Sequence, residues 1–253
     1  MSELVVTSFG GSFRGGRETN EDALGKREPR DPEIQGRQGS LYVVADGMGG
    51  HQAGEIASQL AVETTLDAYY RTLDEGDEAL RHALIAANRR ILETASTCEK
   101  WAGMGCTIVA CLVHDVRATV AHVGDSRAYL IRNGDARLLT RDHLYVTDVL
   151  GLDADAARKS RHRHVLSRAL GGDATTQADV VSVSLLSGDR IMLCTDGVSN
   201  VIQDEEIAAV IDHLTPTAAV RRLLALTRAR RTPDNASAMV ISVATAEGAK
   251  ATV

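Results

Sequence analysis

The eight residues Cys106–Val113 are almost wholly apolar and rich in β-branched side chains. Such a run fits a strand buried on both faces, so it belongs in a sheet with other structure packed on each side. Shorter runs of the same character are Leu41–Ala45, Thr119–Val123, Ala128–Ile131, Ile191–Cys194 and Met239–Val243. Turn residues Gly124-Asp125 stand between two of these runs, and Asn133-Gly134 after Ala128–Ile131 is a strong hairpin signal. Helical periodicity flanks the strands. Leu80, Leu84, Ala87 and Ile91 share one face, and Ile56, Leu60 and Thr64 share another. Thr215-Pro216 reads as an N-cap and first-turn proline ahead of the face Val220, Leu223, Leu224 and Thr227. Hairpin-linked strands with helices grouped between them point to layered α+β rather than alternating βαβ units.

No solenoid-period repeat and no linker divides the chain, so a single domain over residues 1–253 is expected. A chain of 253 residues can bury a substantial core, and with aromatics at only 3% that core must be aliphatic and alanine-built. The segment from Lys26 to Ser40 holds Pro29, Pro32 and two glycines and is expected to project into solvent as a loop. Lys and Arg number 28 against 34 Asp and Glu, a net charge of -6, which argues against non-specific nucleic-acid binding. No run of about 18 apolar residues suggests a membrane span. Met1-Ser2-Glu3-Leu4 lacks the basic start of a secretory signal. Cys98, Cys106, Cys111 and Cys194 form no CxxC pair and lie in or beside apolar runs, as buried reduced thiols of a cytoplasmic protein would, and a monomer is the default expectation.

Aspartates mark the ends of these apolar runs. Asp46 follows Leu41–Ala45 and begins Asp-Gly-Met-Gly-Gly; Asp125 follows Thr119–Val123 and Gly124; Asp196 follows Ile191–Thr195 and precedes Gly197. Asp234-Asn235 stands before Met239–Val243, and Asp22 closes Arg17-Glu-Thr-Asn-Glu-Asp. A strand end holds a side chain on a rigid support, and a following glycine lets an ion or ligand approach the backbone. Converging carboxylates repel one another and need protons or cations to sit together. An all-oxygen set without a His/Cys cluster favours Mg²⁺ or Mn²⁺ over zinc. Any one Asp-Gly is more often a turn, so composition leaves the two readings balanced.

The motifs taken in order resemble the bacterial metal-dependent serine/threonine phosphatases of the type 2C-like family. They are Arg17-x-x-Asn20-Glu21-Asp22, Val44-Ala45-Asp46-Gly47-Met48-Gly49-Gly50-His51 with Gly54-Glu55-x-Ala57-Ser58, and Gly105-Cys106-Thr107. Val123-Gly124-Asp125-Ser126-Arg127, the family's Gly-Asp-Ser-Arg hairpin, and Leu139-Thr140-x-Asp142-His143 follow. Leu166–Gly171, Cys194-Thr195-Asp196-Gly197-Val198 and Asp234-Asn235-Ala236-Ser237 complete the series, so the resemblance runs from about residue 8 to 244.

The resemblance implies a four-layer α+β sandwich, two packed antiparallel β-sheets flanked by helices on both outer faces, with a two-metal site at one end. Residue by residue it implies that Asp46 bridges two Mn²⁺ or Mg²⁺ ions, that the Gly47 carbonyl binds one, and that Asp196 and Asp234 complete the set. Asp22 would act through water, with Glu21 a possible substitute. Asp125 with Asp196 would hold a third ion, and Arg17 the substrate phosphate. Two metals roughly 3.5–4 Å apart can lower the pKa of a shared water for in-line attack on phosphorus, while a planar guanidinium donates two parallel bonds to phosphate. The implied substrate is a phosphoserine or phosphothreonine protein, the target of a serine/threonine kinase.

Two departures from the pattern stand out. Met48 occupies the position of a histidine proposed as general acid in eukaryotic relatives, and His51 belongs to the bacterial form of the motif. The flap segment, residues 148–164, is shortened; Asp148 and Asp153 are candidates for the third ion, though structural roles are preferred for both. The flap's cluster of Arg158, Lys159, Arg161, His162, Arg163 and His164 reads first as a solvated face, and otherwise as an attractor for acidic phosphoproteins. Rival readings are a cysteine phosphatase using Cys111-x5-Arg117, whose loop lacks glycine, and an aspartyl-phosphate enzyme, for which Asp196-Gly197-Val198 lacks a second aspartate. A silent phosphoprotein-binding scaffold and a phosphohydrolase of a small metabolite are the remaining alternatives.

Overall fold

Ten strands and eight α-helices alternate in groups along the described chain. The structure is a computed structural model that describes residues 4–49, 52–72 and 76–245, apart from the side chains of Gln52, Ala154 and Arg158. The expectations placed on His51 and on the Arg158 side chain therefore lie outside the described residues. The chain begins with β1 (Leu4–Phe13), β2 (Asp22–Arg27), α1 (Pro32–Gln38) and β3 (Ser40–Met48), then the helix pair α2 (Gln52–Arg71) and α3 (Gly76–Ala95). Next come β4 (Gly105–His114), β5 (Arg117–Val123), β6 (Arg127–Arg132) and β7 (Asp135–Leu138), followed by the short helices α4 (Tyr145–Asp148) and α5 (Ala154–Lys159). The last third holds β8 (Asp179–Ser184), β9 (Arg190–Cys194), α6 (Asp196–Ser199), α7 (Asp204–Ile211), α8 (Pro216–Ala229) and β10 (Ala236–Thr245).

The strands form two five-stranded antiparallel sheets, ordered β1-β10-β9-β6-β7 and β2-β3-β4-β5-β8. Their period-2 alternation explains the continuous apolar runs. In β3, Tyr42 and Val44 face the other sheet and pack with Val109, Val120, Leu193, Met239 and Ile241. Leu41, Val43 and Ala45 of the same strand face outward, onto Ala57 and Ala61 of α2 and Leu80, Leu84 and Ile91 of α3. The second sheet buries Tyr129, Ile131, Met192 and Val240 outward, against Val198, Ile207, Ile211, Val220 and Leu223 of α6–α8. The result is the four-layer order helix, sheet, sheet, helix, and every inner strand is buried on both faces. Each fully buried aliphatic side chain contributes about 1.5–3 kcal/mol over leaving it exposed.

Several local expectations hold with their geometry. Asn133 and Gly134 both have positive φ, 55° and 81°, the conformation a tight two-residue β6–β7 hairpin needs. Thr215 caps α8 by accepting from the Ala218 N–H, with Pro216 in its first turn. Others need correction. Lys26–Ser40 is not a plain loop: Asp31 accepts from the Glu33 N–H and Pro32 starts α1, the same cap-and-proline signal as at Thr215-Pro216. Its C-terminal end is tied down by the Tyr69 and Tyr70 hydroxyls, which donate to Gln38 O and Gly39 O. In α2 the buried stripe is Ala53, Ala57, Ala61 and Thr65, with Ile56, Leu60 and Thr64 half-buried beside it, because small residues let the helix lie close on the sheet. Cys98 is half-exposed, whereas Cys106, Cys111 and Cys194 are buried. Finally, Gly124-Asp125 does not turn a hairpin. β5 pairs with β4 and β8 in one sheet and β6 with β7 and β9 in the other, so residues 124–126 cross between sheets.

Candidate active site

Antiparallel pairing brings one end of several strands to the same edge of the sandwich. There the C-terminal ends of β3, β5 and β9 meet the N-terminal ends of β2, β4 and β10, so Asp22, Asp46, Asp125, Asp196 and Asp234 converge. They floor an open cleft of about 1520 Å³, lined among others by Arg17, Glu21, Asp46, Gly47, Asp125, Asp196 and Asp234. Asp22 lies directly behind, opposite Asp46 in the β2–β3 register. Its Oδ2 accepts from Ser237 Oγ at 2.6 Å and Thr195 Oγ1 at 3.0 Å, while its Oδ1 is buried without a donor. Asp196 Oδ2 accepts from Asn200 Nδ2 at 3.0 Å, and its Oδ1 is likewise buried and unpartnered.

Backbone proximity is built by glycine. A Cβ on Gly47 would sit 2.2 Å from the Gly54 carbonyl oxygen and 2.5 Å from that of Glu21, so only glycine lets β3 and the start of α2 close together here. Arg17 stands at the rim, 59% exposed, and donates to Asp234 Oδ2 at 2.7 Å. Its loop is held by Asn235, whose Nδ2 donates to Arg14 O and Thr19 O while its Oδ1 accepts from the Glu21 N–H.

The electrostatics are those of crowded acids. Burial, then Asp196 and Asp234, push the Asp22 carboxyl up to about 7, against the pull of its two hydroxyl donors. Burial raises Asp46 well above the carboxylate range, helped by Asp22, Asp196, Asp125 and Asp234. Burial and the charge of Asp196 push Asp125 to about 7. Burial and Asp234 raise Asp196, an effect partly offset by His164 of the flap, which reaches the cleft. The Asp234 carboxylate holds the Arg17 guanidinium above its ordinary value. Two buried oxygens without donors and an all-oxygen set are what a hard divalent cation coordinates, so these residues fit Mn²⁺ or Mg²⁺.

The other candidates fall into structural roles. Asp148 accepts from Arg141 Nη1 at 2.8 Å and from the Ser167 hydroxyl, and Asp153 caps α5 by accepting from the Ala156 N–H at 2.9 Å. Lys159 and residues 161–164 are exposed. Cys111 faces the core between the sheets, where burial pushes its thiol up to about 12, and Arg117 pairs with Asp77 at 3.8 Å. A thiolate nucleophile there is ruled out. Met48 lines the cleft. Thr195, Ser237 and Asn235 carry contacts that no single-residue pattern announced; the only signal was their place inside the quoted motifs.

Acids drawn from both sheets beneath an open cleft, with an arginine at its rim, have the make-up of a hydrolase that acts on phosphate with divalent cations. The family model Protein phosphatase 2C matches residues 10–230. The serine/threonine phosphatase stp of Listeria monocytogenes is 33% identical over 203 residues, 77% of this chain and 78% of that one. The structure of the Mycobacterium tuberculosis serine/threonine phosphatase PstP/Ppp matches with a TM-score of 0.81 at 30% identity, covering 94% of this chain and 99% of that one. The catalytic domain of the serine threonine protein phosphatase PstP, solved with 2 manganese ions, matches with a TM-score of 0.79 at 32% identity, covering 95% and 99%. This chain belongs to the protein phosphatase 2C family, and is a metal-dependent protein serine/threonine phosphatase.

Proposed function

We propose that the cleft removes phosphate from phosphoserine and phosphothreonine side chains of proteins, using two Mn²⁺ or Mg²⁺ ions held between Asp46, the Gly47 carbonyl, Asp196 and Asp234. In this reading Asp46 would contribute to both ions, Asp22 would contribute through water, and Asp125 with Asp196 would hold a third ion. The observation that carries it is the pair of buried, donor-less oxygens on Asp22 and Asp196, set among carboxyls that burial and one another's charge raise. Bound ions supply the positive field that draws phosphate to an acidic floor and lower the pKa of the attacking water.

The chain's own groups bind and orient. Arg17 offers phosphate the donors of its fork that Asp234 does not take. Asn235 fixes the loop that presents Arg17, and Thr195 and Ser237 fix Asp22. Met48 cannot transfer a proton, so the leaving serine oxygen takes its proton from water rather than from a side chain at that position. The breadth of the cleft suits a phosphorylated segment of a protein better than an enclosed small metabolite. We further assign the enzyme as a monomeric cytoplasmic counterpart of a serine/threonine kinase. In support of that compartment, its four cysteines are free.

Hydrolysis of a phosphothreonine peptide tests the reading. Turnover should require added Mn²⁺ or Mg²⁺, stop with chelator, and fall ~100-fold or more in Asp196→Asn. Turnover undiminished by chelator would remove it.

A further inference from the structure

Among the described residues, His122 of β5, His143 and Asp179 of β8 form a cluster distinct from the aspartate floor, with ligand atoms within 4.8 Å of one another. The two rings stack at 4.7 Å between centroids. Hydrogen bonding decides against an ion on His143. The Gly124 N–H donates to His143 Nδ1 at 3.0 Å, so that nitrogen presents its lone pair. The ring is buried and neutral, with burial pushing its pKa down to about 4, so its proton sits on Nε2 and is donated to Asp179 Oδ2 at 3.2 Å. A metal on Nε2 would force the proton onto Nδ1, where it would face the Gly124 N–H donor to donor. His143 and Asp179 thus form a chain of hydrogen bonds, while His122 joins only by stacking, its Nε2 meeting Arg141 O at 2.9 Å and its buried Nδ1 left without a partner.

That chain ends on the inter-sheet crossover. Residues 124–126 leave one sheet before joining the other, so no strand ladder supports them. Gly124 has φ +103°, and a Cβ there would lie 2.6 Å from Thr107 Cβ. His143 takes both of its backbone groups: the ring accepts from Gly124 N–H, and the His143 N–H donates to Gly124 O at 3.0 Å. On the far side of Asp125, Ser126 Oγ and Thr107 Oγ1 share a 2.6 Å hydrogen bond. The ring itself is oriented by Asp179, which also accepts from Arg168 Nη1 at 2.7 Å, and Arg168 lines the cleft.

The geometry points to His143 as a positioning residue for Asp125: it clamps Gly124 so that the next carboxylate is held at the cleft floor without strand support. This rests on the reading in which Asp125 takes the third ion. Outer partners of this kind affect metal affinity by about 10–100-fold.

Mn²⁺ titration calorimetry on the full chain, with native, Asp125→Asn, His143→Leu and His143→Asn proteins, tests it. Asp125→Asn and His143→Leu should each weaken the weakest Mn²⁺ site about tenfold or more and leave the tighter sites unchanged. His143→Asn, whose Oδ1 can stand where Nδ1 stands and accept the Gly124 N–H, should restore that site to within about threefold of native. If the leucine variant does not fold, Asp179→Ala on edge strand β8 carries the same test, since it frees the ring from its outer anchor and should weaken the same site. Native affinity in His143→Leu beside a loss in Asp125→Asn overturns the clamp alone, as does an asparagine variant no better than leucine. Native affinity in Asp125→Asn removes the reading of Asp125 and the clamp's purpose with it.

Discussion

A side chain added at Gly47 meets backbone on two sides, the carbonyl oxygens of Gly54 and Glu21. Neither is the far end of a flexible group, so β3 or the start of α2 has to move. Overpacking of this kind costs about 1–3 kcal/mol. A displacement of about 1 Å at reacting groups costs ~100-fold in rate. Gly47→Ala is therefore expected to keep a cooperative melt, lowered by a few degrees, and to lose about 100-fold in kcat/KM on a phosphopeptide with saturating Mn²⁺. Near-native kcat/KM would mean that the backbone at Gly47 plays no part in the site. At this scale the sequence was informative about what faces the cleft. Arg17, Asp46, Gly47, Asp125, Asp196 and Asp234 all line it, and Asp22 lies just behind. It was silent about what holds them. Ser237 reaches Asp22 across 215 positions, and Asn235 reaches Thr19 across 216; such pairings exist only once both sheets are packed.

The elements divide by where they sit. All six inner strands, β3, β4, β5, β6, β9 and β10, carry the apolar runs picked out in the sequence, because both their faces are buried. The four edge strands, β1, β2, β7 and β8, carry none. Their residues are mostly half-exposed, so no continuous apolar run marks them, and β7 was announced only by the Asn133-Gly134 turn. The crossover at Gly124 was misjudged for a related reason: a turn signal gives the bend but not the sheet that the next strand joins. Helix α3 shows how sharply a face is defined. Leu84 is 1% exposed and its neighbour Ile85 is 48% exposed. Leu84→Ala is expected to cost about 2–5 kcal/mol in urea unfolding, while Ile85→Ser should stay within about 0.5 kcal/mol of native. Comparable losses in both would show that α3 does not pack by the face described.

The molecule as a whole ties stability to its acids. Burial holds the Asp22 and Asp125 carboxyls at about 7, whereas an unfolded aspartate titrates at about 3.9. In chelator the folded chain thus binds protons that the unfolded chain has released. Their stabilisation is complete below about pH 4 and is lost as pH rises through 7. On the proposed site, Mn²⁺ would compete with those protons and, at a hundred times its Kd, would add about 2.7 kcal/mol. The rise in Tm on adding a fixed concentration of Mn²⁺ should therefore be larger at pH 8 than at pH 5.5, and scanning calorimetry will show it. An equal rise at both pH values would place the metal away from these carboxylates.

The central claim is that two sheets bring their strand-end aspartates together to hold a pair of ions around Asp46. Anomalous diffraction from crystals grown with Mn²⁺ tests it most directly. The account predicts two strong peaks roughly 3.5–4 Å apart, with Asp46 between them and Asp196 and Asp234 alongside. No manganese within coordinating distance of Asp46, in crystals of protein active with Mn²⁺, would contradict it.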